Sequence, residues 1–216
     1  MNQYAKPHLA QSALITIDMQ NDFTWDDAPA QIAGTADIIP NTVQLLEVYR
    51  THALPVIHVV RLYRRDGSNV DLCRRERIES GTAIVAPDSE GAELVDELKP
   101  AGSVGLDADV LFSETMQSVG PHEYAMYKPR WGAFYGTGLE TWLTDRDIDT
   151  LMITGCNYPN CPRTTIYEAS ERDFRVVAVP QALSQLTSKD ETELENIGIR
   201  LMPIPAIEET LASSRV

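Results

Sequence analysis

The chain has 216 residues, a net charge of -14 at pH 7 and three cysteines. Such an acidic chain disfavours nucleic acid and anionic membranes as partners, and no apolar run reaches the roughly eighteen residues of a membrane span. The first residues lack the apolar core of a signal peptide. An odd cysteine count without paired spacing suits a reducing compartment. We therefore expect one cytoplasmic α/β domain, residues 1–216.

Strand and helix patterns alternate along the chain, which favours a three-layer α/β/α sandwich, Rossmann-like, with a mostly parallel central sheet. Short apolar runs predict the strands, and apolar residues at helical spacing predict the helices. The predicted strands are residues 13–17, 55–60, 109–112, 123–128, 151–155, 175–183 and 199–205. The predicted helices are residues 37–52, 91–98, 162–174 and 190–198, with another after the aromatic cluster near residue 135.

Two charged residues follow predicted strands. Asp18 comes directly after the first strand, at the edge of an open α/β sheet where ligands bind, although a turn or cap residue is an equal alternative. Lys128 ends the strand that precedes an aromatic loop. A lysine is usually a solvated surface charge, but the aromatic neighbours favour a partly buried one. Both residues are therefore candidates for one site at the same sheet edge.

Residues 151–183 form a predicted βαβ unit that carries the main candidate nucleophile. Cys161 precedes Pro162, and proline favours the first position of a helix. Cys161 is then expected to be the N-cap, where the helix dipole lowers the pKa of a thiol and favours the nucleophilic thiolate. The alternative is that Cys161 is a small buried hydrophobic residue.

Residues 61–87 are polar and basic inside an acidic chain, which indicates either a functional loop or a solvated excursion. Arg61 begins this segment after the second strand, where a guanidinium can bind a substrate carboxylate or carbonyl. The alternative is that Arg61 pairs with Asp66 or Asp71. A histidine within an apolar strand, here His58, is expected to be a core residue. Aromatic residues that could line a ligand pocket are Phe23, Trp25, Trp131 and Tyr158.

Three stretches carry a resemblance to a known family. They read ALITIDMQNDF, then KPRWGAFYGTGLETWL, then DTLMITGCNYPNCPRTTIYEASERDFRVVAVPQAL, and together they resemble the isochorismatase-like cysteine hydrolases. The resemblance implies a catalytic triad of Asp18, Lys128 and Cys161. It also implies a cis peptide bond between Cys156 and Asn157, and an oxyanion hole formed by the backbone N–H groups of Asn157 and Cys161.

The resemblance also indicates a branch of the family. Nicotinamidases of this family carry a metal site built from an aspartate and histidines after the second strand, but residues 61–87 contain no histidine. We therefore expect no metal, no cofactor and a substrate other than nicotinamide. The segment is similar to the N-carbamoylsarcosine, ureidoacrylate and biuret amidohydrolases, which implies a small carbamoyl or ureido amide as substrate and a homo-oligomer.

Other functions remain open on the same fold. Isochorismatases cleave a vinyl ether without a cysteine nucleophile, so the presence of Cys161 favours amide cleavage over an isochorismatase-type reaction. A nicotinamidase-type hydrolase is a further alternative. The third is a non-enzymatic thiol sensor or binding protein that pairs Cys156 with Cys161, although their spacing is not the C-x-x-C of redox proteins.

Overall fold

A seven-stranded sheet lies at the centre of the computed structural model, which describes residues 3–213. The spatial order of the strands is β3-β4-β2-β1-β5-β6-β7. Only β3 runs antiparallel to its neighbour, and the other pairs are parallel. The strands are β1 (Ser12–Ile17), β2 (Val56–Val60), β3 (Gln117–Gly120), β4 (Glu123–Tyr127), β5 (Thr150–Gly155), β6 (Arg175–Leu183) and β7 (Arg200–Leu201).

Helices cover both faces of this sheet. Two apolar clusters fill the spaces between the layers: α2, α4 and α8 contribute to one, and α5, α6 and α7 to the other. This confirms the predicted three-layer α/β/α sandwich. The α-helices are α1 (Asn21–Thr24), α2 (Ile39–Thr51), α3 (Leu72–Glu79), α4 (Ala108–Phe112), α5 (Leu139–Thr144), α6 (Cys161–Ser170), α7 (Ser188–Asn196) and α8 (Ile204–Ser213). Short 3₁₀ helices span Gln3–Ala5, Leu9–Gln11, Ala36–Ile38, Glu90–Ala92 and Asp96–Leu98.

Strand β1 lies in the middle of the sheet, between β2 and β5. All six of its residues are buried, and so are all residues of β2 and β5. Strands that are covered on both faces read as continuous apolar runs rather than alternating ones, which is why these three strands were predictable. Within residues 3–213, no helix has the length and apolar character needed to cross a membrane.

The structure corrects several predicted elements. Residues 109–112 belong to helix α4 and not to a strand, because the Asp107 carboxylate accepts the N–H groups of Asp109 and Val110 and caps a helix start. The last predicted strand is reduced to the two residues of β7, after which Ile204 begins helix α8. The helix predicted at residues 91–98 is replaced by two 3₁₀ turns, and strand β3 was not predicted.

Gly155 allows the ends of β5 and β1 to approach closely. Its φ is +131°, and a Cβ atom at this position would lie 2.3 Å from the carbonyl oxygen of Ile17. The next residue, Cys156, donates its N–H to that same carbonyl at 2.9 Å. A side chain at position 155 would therefore separate the two strands that carry the candidate site.

Replacing Gly155 with alanine is expected to destabilise the fold by more than about 1 kcal/mol, since alanine is incompatible with both the backbone angle and the space. Gly138→Ala is the matched control, because Gly138 has a φ of -85° and no atom within 4 Å of its added Cβ. Urea unfolding measures both. Equal midpoints for the two variants would contradict the close approach.

Candidate active site

Three side chains meet above the carboxyl ends of the strands. Asp18 follows β1, Lys128 follows β4, and Cys161 is the first residue of α6, which comes after β5. The Lys128 Nζ lies 3.0 Å from Oδ2 of Asp18 and 3.3 Å from Sγ of Cys161. The structure thus brings together the three residues singled out from the sequence, in one ammonium-centred cluster.

Backbone hydrogen bonds place the two charged residues. The parallel ladder continues past the strand ends, because Asp18 donates its N–H to Val59 at 2.9 Å and Lys128 donates its N–H to Val60 at 3.0 Å. Asp18 also has a φ of +55°, a left-handed conformation that aspartate tolerates better than most residues. The chain therefore turns sharply at Asp18 while its carboxylate stays at the sheet edge.

The cluster is almost entirely shielded from solvent. The exposed fractions are 4% for Asp18, 0% for Lys128 and 5% for Cys161. The Oδ1 atom of Asp18 is buried and has no hydrogen-bond partner among residues 3–213. A buried carboxylate oxygen without a donor is costly, and Oδ1 of Asp18 is such an oxygen.

The helix position and the pKa of Cys161 differ from the prediction. The N-cap of α6 is Asn160, and Cys161 occupies the first helical turn. Its pKa is raised to about 12, first by burial and then by the negative charge of Asp18, while Lys128 acts in the opposite direction. The predicted lowering of the pKa by the helix dipole is therefore wrong, because these two effects outweigh it. At neutral pH the resting residue is a thiol.

Arg61 is buried and its guanidinium is bonded to other parts of the protein. Its guanidinium pairs with Asp71 and donates to Tyr63 Oη at 3.0 Å. It also donates to the carbonyl oxygens of Lys128 and Arg130, at 3.0 and 2.9 Å. The alternative pairing with Asp71 is thus the one the structure contains. A substrate contact by Arg61 stays an untested prediction that this geometry disfavours.

Gln20 was missed by the sequence reasoning and holds Arg61 in place. Its side-chain Oε1 accepts the Arg61 N–H at 2.8 Å, and its Nε2 donates to the carbonyl oxygens of Arg61 and Ala92 at 2.9 and 2.6 Å. Gln20 is fully buried. A glutamine two residues after Asp18 gave no sequence signal for this role, because its partners lie in distant segments of the chain.

The four aromatic residues proposed to line a pocket have different surroundings. Phe23 is buried and Trp131 is half-buried, and the rings of both lie within 6 Å of the guanidinium carbon of Arg74. Trp25 is 43% exposed at the surface. Tyr158 is buried, and burial raises its pKa to about 12, with a further contribution from the charge of Asp190 on α7. Substrate contacts by these four residues remain predictions.

The predicted oxyanion donors have different surroundings. No cis peptide bond occurs between residues 3 and 213, so the expected cis bond after Cys156 is absent. The Asn157 N–H donates to Ser184 Oγ at 2.7 Å, with Asn157 at a φ of +60°. The N–H of Cys161 lies at the start of α6, where helical N–H groups lack an intrahelical acceptor. Ser184 was not identified from the sequence.

His58 and the other two cysteines lie outside the cluster of Asp18, Lys128 and Cys161. His58 is fully buried and bonded through Nδ1 to Thr16 at 2.8 Å, and burial lowers its pKa to about 3. His58 is therefore a core residue, as the sequence predicted, although its Nε2 has no hydrogen-bond partner among residues 3–213. Cys156 is buried with a raised pKa, first because of desolvation, and Cys73 is exposed. Residues 3–213 contain no group of three or more His, Cys, Asp or Glu side chains arranged to hold a metal ion.

The fold and the site define an α/β protein with a buried cysteine–aspartate–lysine centre at the carboxyl edge of its sheet. The family described as "Isochorismatase domain" matches residues 12–106 and 105–202. The chain belongs to the isochorismatase family.

Individual relatives agree with this assignment. A probable inactive nicotinamidase of Arabidopsis thaliana is 32% identical over 207 residues, which cover 93% of this chain and 96% of the relative. The N-carbamoylsarcosine amidase of an Arthrobacter species is 32% identical over 169 residues, covering 76% of this chain and 56% of the relative. The crystal structure of an isochorismatase family protein from Desulfovibrio vulgaris is similar, with a TM-score of 0.79, 33% identity and coverage of 94% and 98%.

Arg61→Met is expected to lower the free energy of unfolding by about 3–5 kcal/mol, because it leaves the buried Asp71 without its cation. Arg64→Met is the matched control, since Arg64 is exposed and its guanidinium carbon lies 4.1 Å from the ring centre of Phe112; its effect should stay below about 1 kcal/mol. Urea unfolding compares them. A loss for Arg61→Met no greater than the control loss would show that the Arg61–Asp71 pair is not structural.

Asp18→Asn is expected to make Cys161 more reactive towards iodoacetamide. Removing the Asp18 charge lowers the pKa of the Cys161 thiol. At a pH below the pKa, each unit by which the pKa falls raises the thiolate fraction about tenfold. The measurement is peptide mapping at pH 8 in a Cys73→Ser background. Lys128→Met is the control with the opposite sign, since it removes the cation that favours the thiolate. Slower alkylation of Asp18→Asn would contradict the assigned electrostatics.

Proposed function

We propose that the protein is a cysteine-dependent hydrolase of small amides, with a carbamoyl or ureido compound as substrate. The observation that carries this proposal is the contact of the Lys128 ammonium with both Asp18, at 3.0 Å, and Cys161, at 3.3 Å. A nucleophile beside a base and a fixed cation is the arrangement that covalent acyl transfer needs. Similarity to an N-carbamoylsarcosine amidase supports the choice of a carbamoyl substrate.

The first step forms the bond between Sγ of Cys161 and the amide carbon. Oδ1 of Asp18, which lacks a hydrogen-bond partner, accepts the thiol proton. Because the pKa of Cys161 is raised to about 12, first by burial, the proton leaves as the new bond forms, as in general base catalysis. The Lys128 ammonium stabilises the charge on sulfur during the transfer.

The carbonyl oxygen then carries a negative charge. The N–H of Cys161 is one donor for it, and each such donor contributes roughly 3 kcal/mol in other acyl-transfer enzymes. The Asn157 N–H donates to Ser184 Oγ at 2.7 Å. To be the second donor, it has to break this bond and donate to the substrate oxygen instead. Pro162 has no N–H to offer.

Collapse of this intermediate breaks the C–N bond. The proton held by Asp18 passes to the leaving nitrogen, which departs as ammonia or an amine. A thioester remains on Cys161. Water then attacks the thioester carbon, Asp18 takes a proton from the water, and the C–S bond breaks to release the acid and restore the thiol.

Three other functions have less support. The name of the Arabidopsis relative raises the possibility of a non-catalytic protein, but the three contacting side chains in this chain favour a working centre. A thiol sensor requires an accessible, low-pKa cysteine, whereas Cys161 is 5% exposed and its pKa is raised, chiefly by burial. The absence of histidine from residues 61–87 weighs against a nicotinamidase.

An ammonia-release screen tests the function. We expect turnover of at least one N-carbamoyl or ureido compound in a panel that also contains biuret, maleamate and nicotinamide. Cys161→Ser, Asp18→Asn and Lys128→Met should each lose at least about a hundredfold in kcat, as expected when a nucleophile or its base is removed. Rates are measured with coupled ammonia detection.

Cys156→Ser and Cys73→Ser are the matched controls, and both should retain turnover. Dialysis against a strong chelator should leave the rate unchanged. Nicotinamide as the best substrate, with inert carbamoyl and ureido compounds, would contradict the proposed substrate class. Full activity of Cys161→Ser would contradict the proposed mechanism.

A further inference from the structure

Arg74 is a half-buried cation to which the proposed reaction assigns no role. It lies in the first turn of α3, inside the basic segment of residues 61–87. Its Nη1 donates to Tyr63 Oη at 2.8 Å. Tyr63 Oη in turn donates to Asp71 at 2.9 Å and accepts from Arg61. Arg74 is thus oriented by the same network that supports the backbone of Lys128.

Within the part of the chain that the structure describes, Arg74 has no acidic partner of its own. Among residues 3–213, the ion pairs within 4.0 Å do not include Arg74. Asp71, the buried acid of this network, pairs with Arg61. A partly buried guanidinium is normally paired, because its desolvation has to be offset. The unmatched charge indicates a place for an anion from outside the chain.

Aromatic rings surround this guanidinium. Its carbon lies 5.3 Å from the ring centre of Trp131 and 5.9 Å from those of Phe23 and Tyr63. Such contacts restrict where the side chain can lie. Arginine held in this way presents a planar pair of donors that matches a carboxylate. Two of the predicted pocket residues, Phe23 and Trp131, are therefore neighbours of the cation.

Arg74 is also electrostatically connected to the reacting groups. Burial acts to lower the pKa of Arg74, but the hydrogen bond to Tyr63 and the negative charge of Asp18 outweigh burial and raise it overall. Arg74 is therefore within electrostatic range of Asp18. Lys128 cannot serve an anionic substrate in the same way, because it is already paired with Asp18 at 3.0 Å.

We propose that Arg74 binds a carboxylate of the substrate, so that the preferred substrates are small amides that carry a carboxylate near the scissile bond. This inference rests on the proposed amide hydrolysis and narrows it to an anionic class that includes N-carbamoyl amino acids and ureido acids. An anionic substrate would otherwise be repelled by Asp18 and by the net charge of -14. Arg74 is a binding residue in this scheme, and Arg61 supports it through Tyr63.

The test compares matched pairs of amides with and without a carboxylate. The pairs are N-carbamoylglycine with methylurea, and succinamate with butyramide. In the wild-type protein kcat/KM should be at least roughly tenfold higher for the carboxylated member, the size of a charge-assisted hydrogen bond. Arg74→Met should remove this preference mainly through KM, while neutral amides change less than about threefold.

Arg65→Met is the matched control. It removes one positive charge from an exposed position in the same segment and should keep the preference. Neutral-amide turnover by Arg74→Met, together with its thermal unfolding, shows that the variant is folded. A wild-type preference for the neutral amides, or an equal loss for both classes in Arg74→Met, would overturn the proposal while leaving amide hydrolysis standing.

Calorimetry separates this proposal from the proposed function. Cys161→Ser is titrated with N-carbamoylglycine and succinamate, and the titration is repeated with Cys161→Ser/Arg74→Met. If Cys161→Ser binds these compounds, the double variant does not, and the wild-type protein turns neither of them over, the anion site is supported and the proposed hydrolase function is contradicted. If these compounds are neither bound nor turned over, the anion site and the proposed hydrolase function are both overturned.

Discussion

The buried ion pair between Lys128 and Asp18 is the interaction on which the rest of the site depends. Its charges lie 3.0 Å apart and are 0% and 6% exposed as side chains. Taking two charges out of water is expensive, and their attraction offsets this only when the geometry is good. The sheet provides that geometry, because the N–H groups of both residues continue the ladders of β2. Rigid strand ends hold the pair without ordering a long loop.

A second layer of polar contacts supports this pair and links it to the surface. Arg61 donates to the Lys128 and Arg130 carbonyls and pairs with Asp71. Tyr63 connects Arg61 to Arg74 through its hydroxyl. Two arginines of the basic segment, residues 61–87, thus belong to this network and have different surroundings. One is satisfied by the protein, and the other has no acidic partner among residues 3–213.

The sequence predicted the layout of the site better than its electrostatics. Asp18 and Cys161 come after strands that read as continuous apolar runs, and Lys128 ends a predicted strand of mixed composition. Their convergence at one edge follows from a parallel sheet. The pKa of Cys161 could not be read in this way, because it depends on burial and on a carboxylate 143 positions earlier in the chain. The partner of Arg61 likewise depended on how the loop folds back, and only alternatives could be named.

The raised pKa of Cys161 changes how its activation is understood. A permanently ionised thiolate would react with any oxidant or electrophile that reached it. Here burial and Asp18 keep sulfur protonated, while Lys128, 3.3 Å away, favours the charge when it develops. In the proposed reaction, transfer of the proton to Asp18 is therefore coupled to attack on a bound carbonyl. Under that proposal the same carboxylate that suppresses the free thiolate becomes the base that produces it in the substrate complex.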